Sequence, residues 1–356
     1  KLIDAAKRKS SEFLLELEKL KREQNSSNAT EIARKTRRAV KNQMGEMDEL
    51  VNPMELADNW DDDYKLPRKP VAGDRVVIRG IGEGEIVEIK ENNITVIPLS
   101  VEVNGKNYID GEDISREQLV EELRKGNIPK TSQPAMGRFI DTFDELGKDG
   151  SQVLAILISD VLSGTFETAL SAADMSEADV TVINSKSTDR GLAFQVLAAA
   201  KDAREGRSIA EIKEHCADIY SRTTIDVLVD NLDCLVAGGR VSRFAGALTK
   251  LINLKIIVRL NEHSLDVFTK GRSRKTFIKH CKELAEQHKD NPIQALSLSN
   301  VGTDPEFLEK IKETILPENS KATYIARLTS PIIMTHTGLN AVGVITFAEK
   351  PEKTEA

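Results

Sequence analysis

Apolar residues change their spacing twice along the chain, and each regime predicts a different kind of structure. At the start, Ile3, Ala6, Phe13, Leu17 and Leu20 follow 3-and-4 spacing, with Ser10 in the slot between Ala6 and Phe13. That is about three heptads of a helical seam. Small polar residues at 24–28 interrupt it. Ala33, Thr36, Val40, Met44 and Met47 then mark one side of a second helix over 30–51. A hairpin of two such helices cannot bury both stripes, so residues 1–51 predict association with another part of the chain or with a second copy. Residues 52–70 are polar and acidic, with Pro53, the run Asp61, Asp62 and Asp63, Pro67 and Pro70, and read as a linker. From 71 to 94 the period becomes two, and short strands over 76–78, 85–89 and 94–97 are separated by Gly80, Gly82, Gly84 and the pair Asn92-Asn93.

From residue 95 onward strands alternate with helices. Ser115 followed by Gln118 is a capping box, with Leu119, Val120 and Leu123 on one face and Gly126 as the stop. Continuous apolar runs at 153–158, 180–183 and 225–229 predict strands buried on both faces. Helices are predicted at about 134–146, 164–173, 189–204 and 208–221, which makes 95–229 a first α/β lobe. After 230 a hairpin over 256–268, helices at about 273–288 and 304–315, and strands near 293–298, 322–328 and 342–347 form a second α/β lobe with antiparallel content, followed by a tail at 351–356.

Composition narrows the function classes. The chain has 356 residues, 40 % of them hydrophobic and 30 % charged, enough for more than one core. No apolar run approaches the ~20 residues of a membrane helix. The chain opens on Lys1, as a fragment or processed chain does, and carries no charged-then-apolar leader. The net charge of -7 opposes a whole-protein grip on nucleic acid. Cys216, Cys234 and Cys281 have no metal spacing and read as reduced thiols of a cytoplasmic protein.

Several motifs carry candidate chemistry, each with a plainer reading beside it. Gly80 to Gly84 is followed by a strand pattern rather than a helix, so it reads as a hairpin turn and not a phosphate loop. Arg34, Lys35, Arg37, Arg38 and Lys41 are either a solvated helix face or a phosphate-contacting run. Thr131-Ser132-Gln133-Pro134 opens a helix, where hydroxyls either cap the N-terminus or help bind an anion there. Leu162-Ser163-Gly164-Thr165 repeats that logic at the end of a buried strand, where open α/β sheets bind ligands. Gly238-Gly239-Arg240 sets a fixed cation after a glycine turn, and Thr335-His336-Thr337-Gly338 closes another apolar stretch. Hydroxyls, a His and an Arg with no carboxylate among them suit an anionic head group better than catalysis.

In their order and separations these motifs, with Val96-Ile97-Pro98-Leu99 and Gly105…Asp110-Gly111, resemble the DegV family of the fatty-acid-binding FakB type from about residue 93 to 350. The resemblance implies a two-lobed α/β fold. It implies a long-chain fatty acid whose carboxylate meets Thr131, Ser163, Arg240 and His336, flanked by Ser132, Gly164 and Thr337. It also implies a carrier without catalysis or cofactor, which presents the acid to a fatty acid kinase for acyl-phosphate formation. Three departures stand out. No strand with an Asp-Ser turn precedes Val96, Leu339-Asn340 replaces the usual Pro-Gly after His-Thr-Gly, and Asn184 stands where Asp is common. Residues 1–92, through Val71-Ala72-Gly73-Asp74-Arg75-Val76 and the strand at 85–89, resemble instead the helical and KOW-like region after the ATPase of a MutS-II-type mismatch-repair paralogue, as in a gene fusion.

The leading expectation is therefore a non-catalytic fatty-acid carrier, with a kinase subunit, a second copy through residues 1–51 and transient membrane contact as its partners. A nucleic-acid module in residues 1–92 is the alternative, and an enzyme using His336 as acid–base ranks last because no motif sets a carboxylate or second His beside it.

Overall fold

A computed structural model describes residues 93–240 and 254–350. The helices expected over 1–51, the linker, the glycine turn, the strand at 85–89, the KOW-like resemblance and the tail lie outside the described residues.

The described chain opens with a hairpin, β1 (Ser100–Val103) and β2 (Lys106–Ile109). Its turn, Asn104-Gly105, has φ of +54° and +80°. Two left-handed residues give the turn whose twist matches an antiparallel pair. The strand expected at 94–97 is not there: β1 begins only after Pro98, which has no N–H for a ladder, and Val96 is exposed. Helix α1 (Arg116–Arg124) carries the anticipated capping box, with the Ser115 hydroxyl accepting from Gln118 N at 3.1 Å and Gln118 Oε1 accepting from Ser115 N at 2.8 Å. Next comes β3 (Lys130–Ser132), antiparallel to β1. This corrects the expectation that Thr131 and Ser132 cap a helix. The following helix, α2 (Met136–Gly147), starts from Ala135 with no side-chain cap, because β1 has already drawn Thr131 and Ser132 into a sheet of order β2-β1-β3.

Strands β4 (Val153–Leu157) and β5 (Val180–Asn184) form a parallel pair. Helix α3 (Thr165–Met175) connects them, and α4 (Asp189–Arg204) and α5 (Ile209–Ser221) follow. Beyond them come β6 (Thr223–Val229), the short α6 (Asp233–Gly238), the hairpin β7 (Lys255–Leu260) and β8 (Leu265–Gly271), and α7 (Lys275–Gln287). The described chain ends with β9 (Ile293–Asn300), α8 (Pro305–Ile315), β10 (Thr323–Leu328), α9 (Pro331–Thr337) and β11 (Val342–Ala348). One sheet takes the order β10-β9-β11-β6-β7-β8, with only the β9/β10 pair parallel. Strand β6, the last strand of the first lobe as read from sequence, is thus hydrogen-bonded between β11 and β7 of this larger sheet.

Two compact units can be distinguished. In the first, over Ala135–Ser151 and Ser171–Asp179, α2 buries Phe139, Ile140 and Phe143, with the two phenyl rings 5.8 Å apart. The Asp144 carboxylate there accepts from Ser176 Oγ and Glu177 N, both at 2.7 Å.

The second unit contains the sheets. Side chains alternate across a strand, and in the six-stranded sheet this sorts residues by face. Leu296 and Leu298 of β9, Leu228 of β6, and Val342 and Val344 of β11 join Phe277, Leu284 and Ile311 of α7 and α8 in the main core. On the opposite face stand Ser297, Ser299, Ile225, Val227, Gly343 and Ile345, which line cavities. Asp226, fully buried, is held by Arg259 of β7 (2.6 Å to each carboxylate oxygen) and ties α7 to the first face through His280 Nε2 (2.7 Å). Burial alone would push its carboxyl up, but these partners outweigh it and hold it below its ordinary value. All three cysteines are buried free thiols.

Candidate functional site

Helix α9 is the element around which the site is built. Ser330 caps its N-terminus, Pro331 occupies the first turn, and Gly338 with φ of +75° ends it. Ile332 and Met334 join Val101, Val103, Leu119 and Leu123 in a second core, so α9 is fastened to the β2-β1-β3 sheet and to α1. That packing brings His336, near the C-terminal end of α9, to β3. The Thr131 hydroxyl lies 2.8 Å from His336 Nε2, a hydrogen bond between residues 205 apart in sequence.

The two glycines before Arg240 serve different purposes. Gly239 has φ of +68° and supplies the left-handed C-cap of α6. Gly238 permits a close approach: a Cβ there would stand 2.4 Å from His336 Nδ1. The Arg240 guanidinium turns back to the Gly238 carbonyl (2.6 Å), with Nε 3.5 Å from the Leu162 carbonyl. Leu162 immediately precedes Ser163, so the cation borders the loop after β4.

That loop is shaped by Ser159, whose carbonyl accepts from Leu162 N and Ser163 N. The Ser163 hydroxyl is 2.8 Å from the Thr165 hydroxyl at the start of α3. Gln133, whose type and spacing mark no role in the sequence, ties β3 to this loop. Its amide donates to Thr168 Oγ1 (2.8 Å), and Thr168 donates on to the Gly164 carbonyl (3.1 Å). A side chain at Gly164 would stand 2.8 Å from Gln133 Oε1. Ser132 is exposed on β3, and the Thr337 hydroxyl is spent within α9 on the Ile333 carbonyl (2.9 Å). Leu339-Asn340, in place of Pro-Gly, is accommodated with Asn340 at φ of +61°, and Asn184 caps a turn by accepting from Lys186 N at 2.8 Å.

Burial pushes the His336 imidazole down to about 4, and the Arg240 guanidinium adds to the effect. The imidazole is therefore neutral at pH 7, and its buried Nδ1 has no hydrogen-bond partner. A cation, hydroxyls and a neutral ring form a donor set for an anion. Thr131, Ser163, Arg240 and His336 do not themselves line a cavity, but Ile333 and Thr337 of the same helix α9 line a small one of about 30 Å³ with Ile225, Val227 and Ile345. It shares Thr188, Asp189, Ser299, Thr329 and Ile333 with a larger cavity of about 290 Å³, near the lower limit for a ligand pocket. Asp110 and Arg116 also line the larger one. Burial raises the Asp110 carboxyl to about 6, against the opposing effect of Arg116. No described helix is long and apolar enough to cross a membrane.

Known proteins share this architecture. The fold aligns with a solved structure from Bacillus subtilis, described as DegV, a fatty acid binding protein, at a TM-score of 0.67 and 25 % identity, covering 77 % of this chain and 96 % of that one. A stearic acid-binding protein from Eubacterium ventriosum gives 0.63 at 24 % identity, covering 74 % and 94 %, a likeness of fold. In sequence, the chain is 39 % identical over 261 residues to a DegV domain-containing protein of Streptococcus pneumoniae, covering 72 % of this chain and 92 % of the relative. A Staphylococcus aureus relative is 35 % identical over 258 residues, with the same coverage. The model of the uncharacterised DegV protein family matches residues 86–349, so this mixed α/β domain belongs, by sequence and by fold, to the DegV family.

Proposed function

We propose that this chain is a fatty-acid carrier. Thr131, Ser163, Arg240 and His336 hold the carboxylate of a long-chain fatty acid, with Ser132, Gly164 and Thr337 around them, and the alkyl chain enters the cavities behind α9. The observation that carries this reading is the meeting of the Thr131–His336 pair with the Arg240 guanidinium at the end of α9, the helix whose Ile333 and Thr337 line a cavity walled by Ile225, Val227 and Ile345. The descriptions of the solved relatives as fatty-acid-binding support it. Burying about 15 methylenes at ~0.8 kcal/mol each gives a gross term on the order of 12 kcal/mol, from which ordering costs are subtracted. Catalysis is not required of such a site. Its finer role is to present the carboxylate to a separate fatty acid kinase, which transfers the phosphoryl group.

Native mass spectrometry of the purified chain tests the reading. A co-purifying adduct with the mass of a long-chain fatty acid, restored after delipidation by added stearate, is the expected result. No adduct and no heat on titration with stearate would refute it.

A further inference from the structure

The wall shared by the two cavities is polar at its centre. Asp189, Ser299 and Thr329 line both. Asp189 opens α4 with φ of +51°, a left-handed backbone that Asp tolerates better than most residues. Its carboxylate accepts from the Ser299 hydroxyl at 2.7 Å, from the Thr329 hydroxyl and from the Arg190 backbone N–H at 2.6 Å. Ser299 and Thr329 are buried. A carboxylate has about four lone-pair sites, so three donors leave one acceptor position. Thr329 directly precedes Ser330, the N-cap of α9, and Thr337 ends that helix. At 1.5 Å per residue the seam lies about 10 Å along α9 from its head-group end.

A plain alkyl chain laid past this seam covers the carboxylate and offers it no hydrogen bond, which is costly. A chain bearing a hydroxyl at the same depth donates to the remaining lone pair in a charge-assisted contact. We propose, resting on the fatty-acid reading above, that Asp189 determines acyl-chain specificity in this protein and that its preferred ligand class is a fatty acid hydroxylated in mid-chain.

Calorimetric titration of the delipidated full chain with stearate and with a mid-chain hydroxystearate tests this. The hydroxy acid is expected to bind at least about tenfold more tightly, the size of one good charge-assisted contact. Asp189→Asn, which suits the same backbone, narrows the gap mainly by tightening stearate. Thr329→Val removes one donor from the carboxylate and widens the gap, so the two variants move the ratio in opposite directions. Equal affinities in the wild-type chain, or a ratio that both folded variants leave unchanged, overturn the assignment while leaving fatty-acid binding standing. Binding of neither acid overturns the carrier reading and this inference together.

Discussion

Replacing Gly238 by alanine sets two physical effects against each other, and the structure decides the sign. Gly238 is the last residue of α6 and does not need a left-handed backbone. On helix propensity alone, alanine there is worth up to about 1 kcal/mol. The new Cβ, however, would stand 2.4 Å from His336 Nδ1 and 3.4 and 3.5 Å from two ring carbons. Relieving that overlap moves the imidazole by about 1 Å, with an overpacking cost of roughly 1–3 kcal/mol. The same movement stretches the 2.8 Å bond to Thr131, a loss of roughly 0.5–1.5 kcal/mol. The clash wins, and Gly238→Ala is expected to destabilise the protein by about 1–3 kcal/mol and to weaken fatty-acid binding. Urea denaturation of the single variant, of His336→Ala and of the double variant forms a cycle that isolates the contact. With the imidazole gone, alanine at 238 should be neutral or stabilising. A stabilised single variant, or the same loss in both backgrounds, would refute the reasoning.

Arg240→Ala should leave the melting temperature unchanged, because the side chain is exposed, and weaken stearate binding by about 1.5–3 kcal/mol, the value of a charge-assisted contact; calorimetry reading unchanged affinity would remove Arg240 from the site. His336 titrates at about 4 when folded against an ordinary 6.5, so its contribution to stability is complete above pH 6.5 and is lost as pH falls toward 4. Urea midpoints across that range should therefore fall more steeply for the wild-type chain than for His336→Gln, and parallel curves would contradict a depressed imidazole. Asp110 has the opposite sign: its carboxyl is raised to about 6 by burial, so the stability from its neutral form is present below pH 3.8 and lost as pH rises through 6. Asp110→Asn should accordingly stabilise the chain at pH 7.5 but not at pH 3.5, and equal effects at the two values would show that Asp110 does not titrate this way.

The strongly periodic elements were legible in the sequence, and the short ones were not. Helices α4, α5, α7 and α8 and strands β4, β5, β6, β9, β10 and β11 all lie close to where hydrophobic spacing sets them; α5, α7 and α8 each bury an apolar face, whereas β5 and β10 are only half-buried along their length rather than buried on both faces. Strand β3 spans three residues and exists only through its pairing with β1, so Thr131 and Ser132 looked like helix caps. The signal for β1 lies in Asn104-Gly105, a pair that favours left-handed turns. The separate jobs of Gly238 and Gly239 were also hidden. A left-handed cap follows from a glycine near a helix end, whereas the approach to His336 depends on a residue almost a hundred positions away. The grouping of Thr131, Ser163, Arg240 and His336 came from the family resemblance, since spacing alone cannot bring residues 131 and 336 together. In sequence Asp189 is one more acidic residue at a helix start, and its contacts with Ser299 and Thr329 depend on the tertiary fold.

The strand order of the large sheet also fixes a timetable for biosynthesis. Strand β6 is joined to β11, which leaves the ribosome about 120 residues later, and β11 in turn bridges β6 to β9 and β10. At typical synthesis rates of ~5–20 residues per second, that delay is on the order of 10 s. By its end, once β10 is complete at residue 328, the nascent chain holds two half-sheets, β6-β7-β8 on one side and β9-β10 on the other, each with a bare edge of backbone N–H and C=O groups facing the missing strand. A stalled ribosome or a premature stop just before residue 342 would leave both edges open at once. Products of that kind should be clients of trigger-factor-like chaperones and targets of proteolysis, whereas a stop just past residue 348 would spare the sheet.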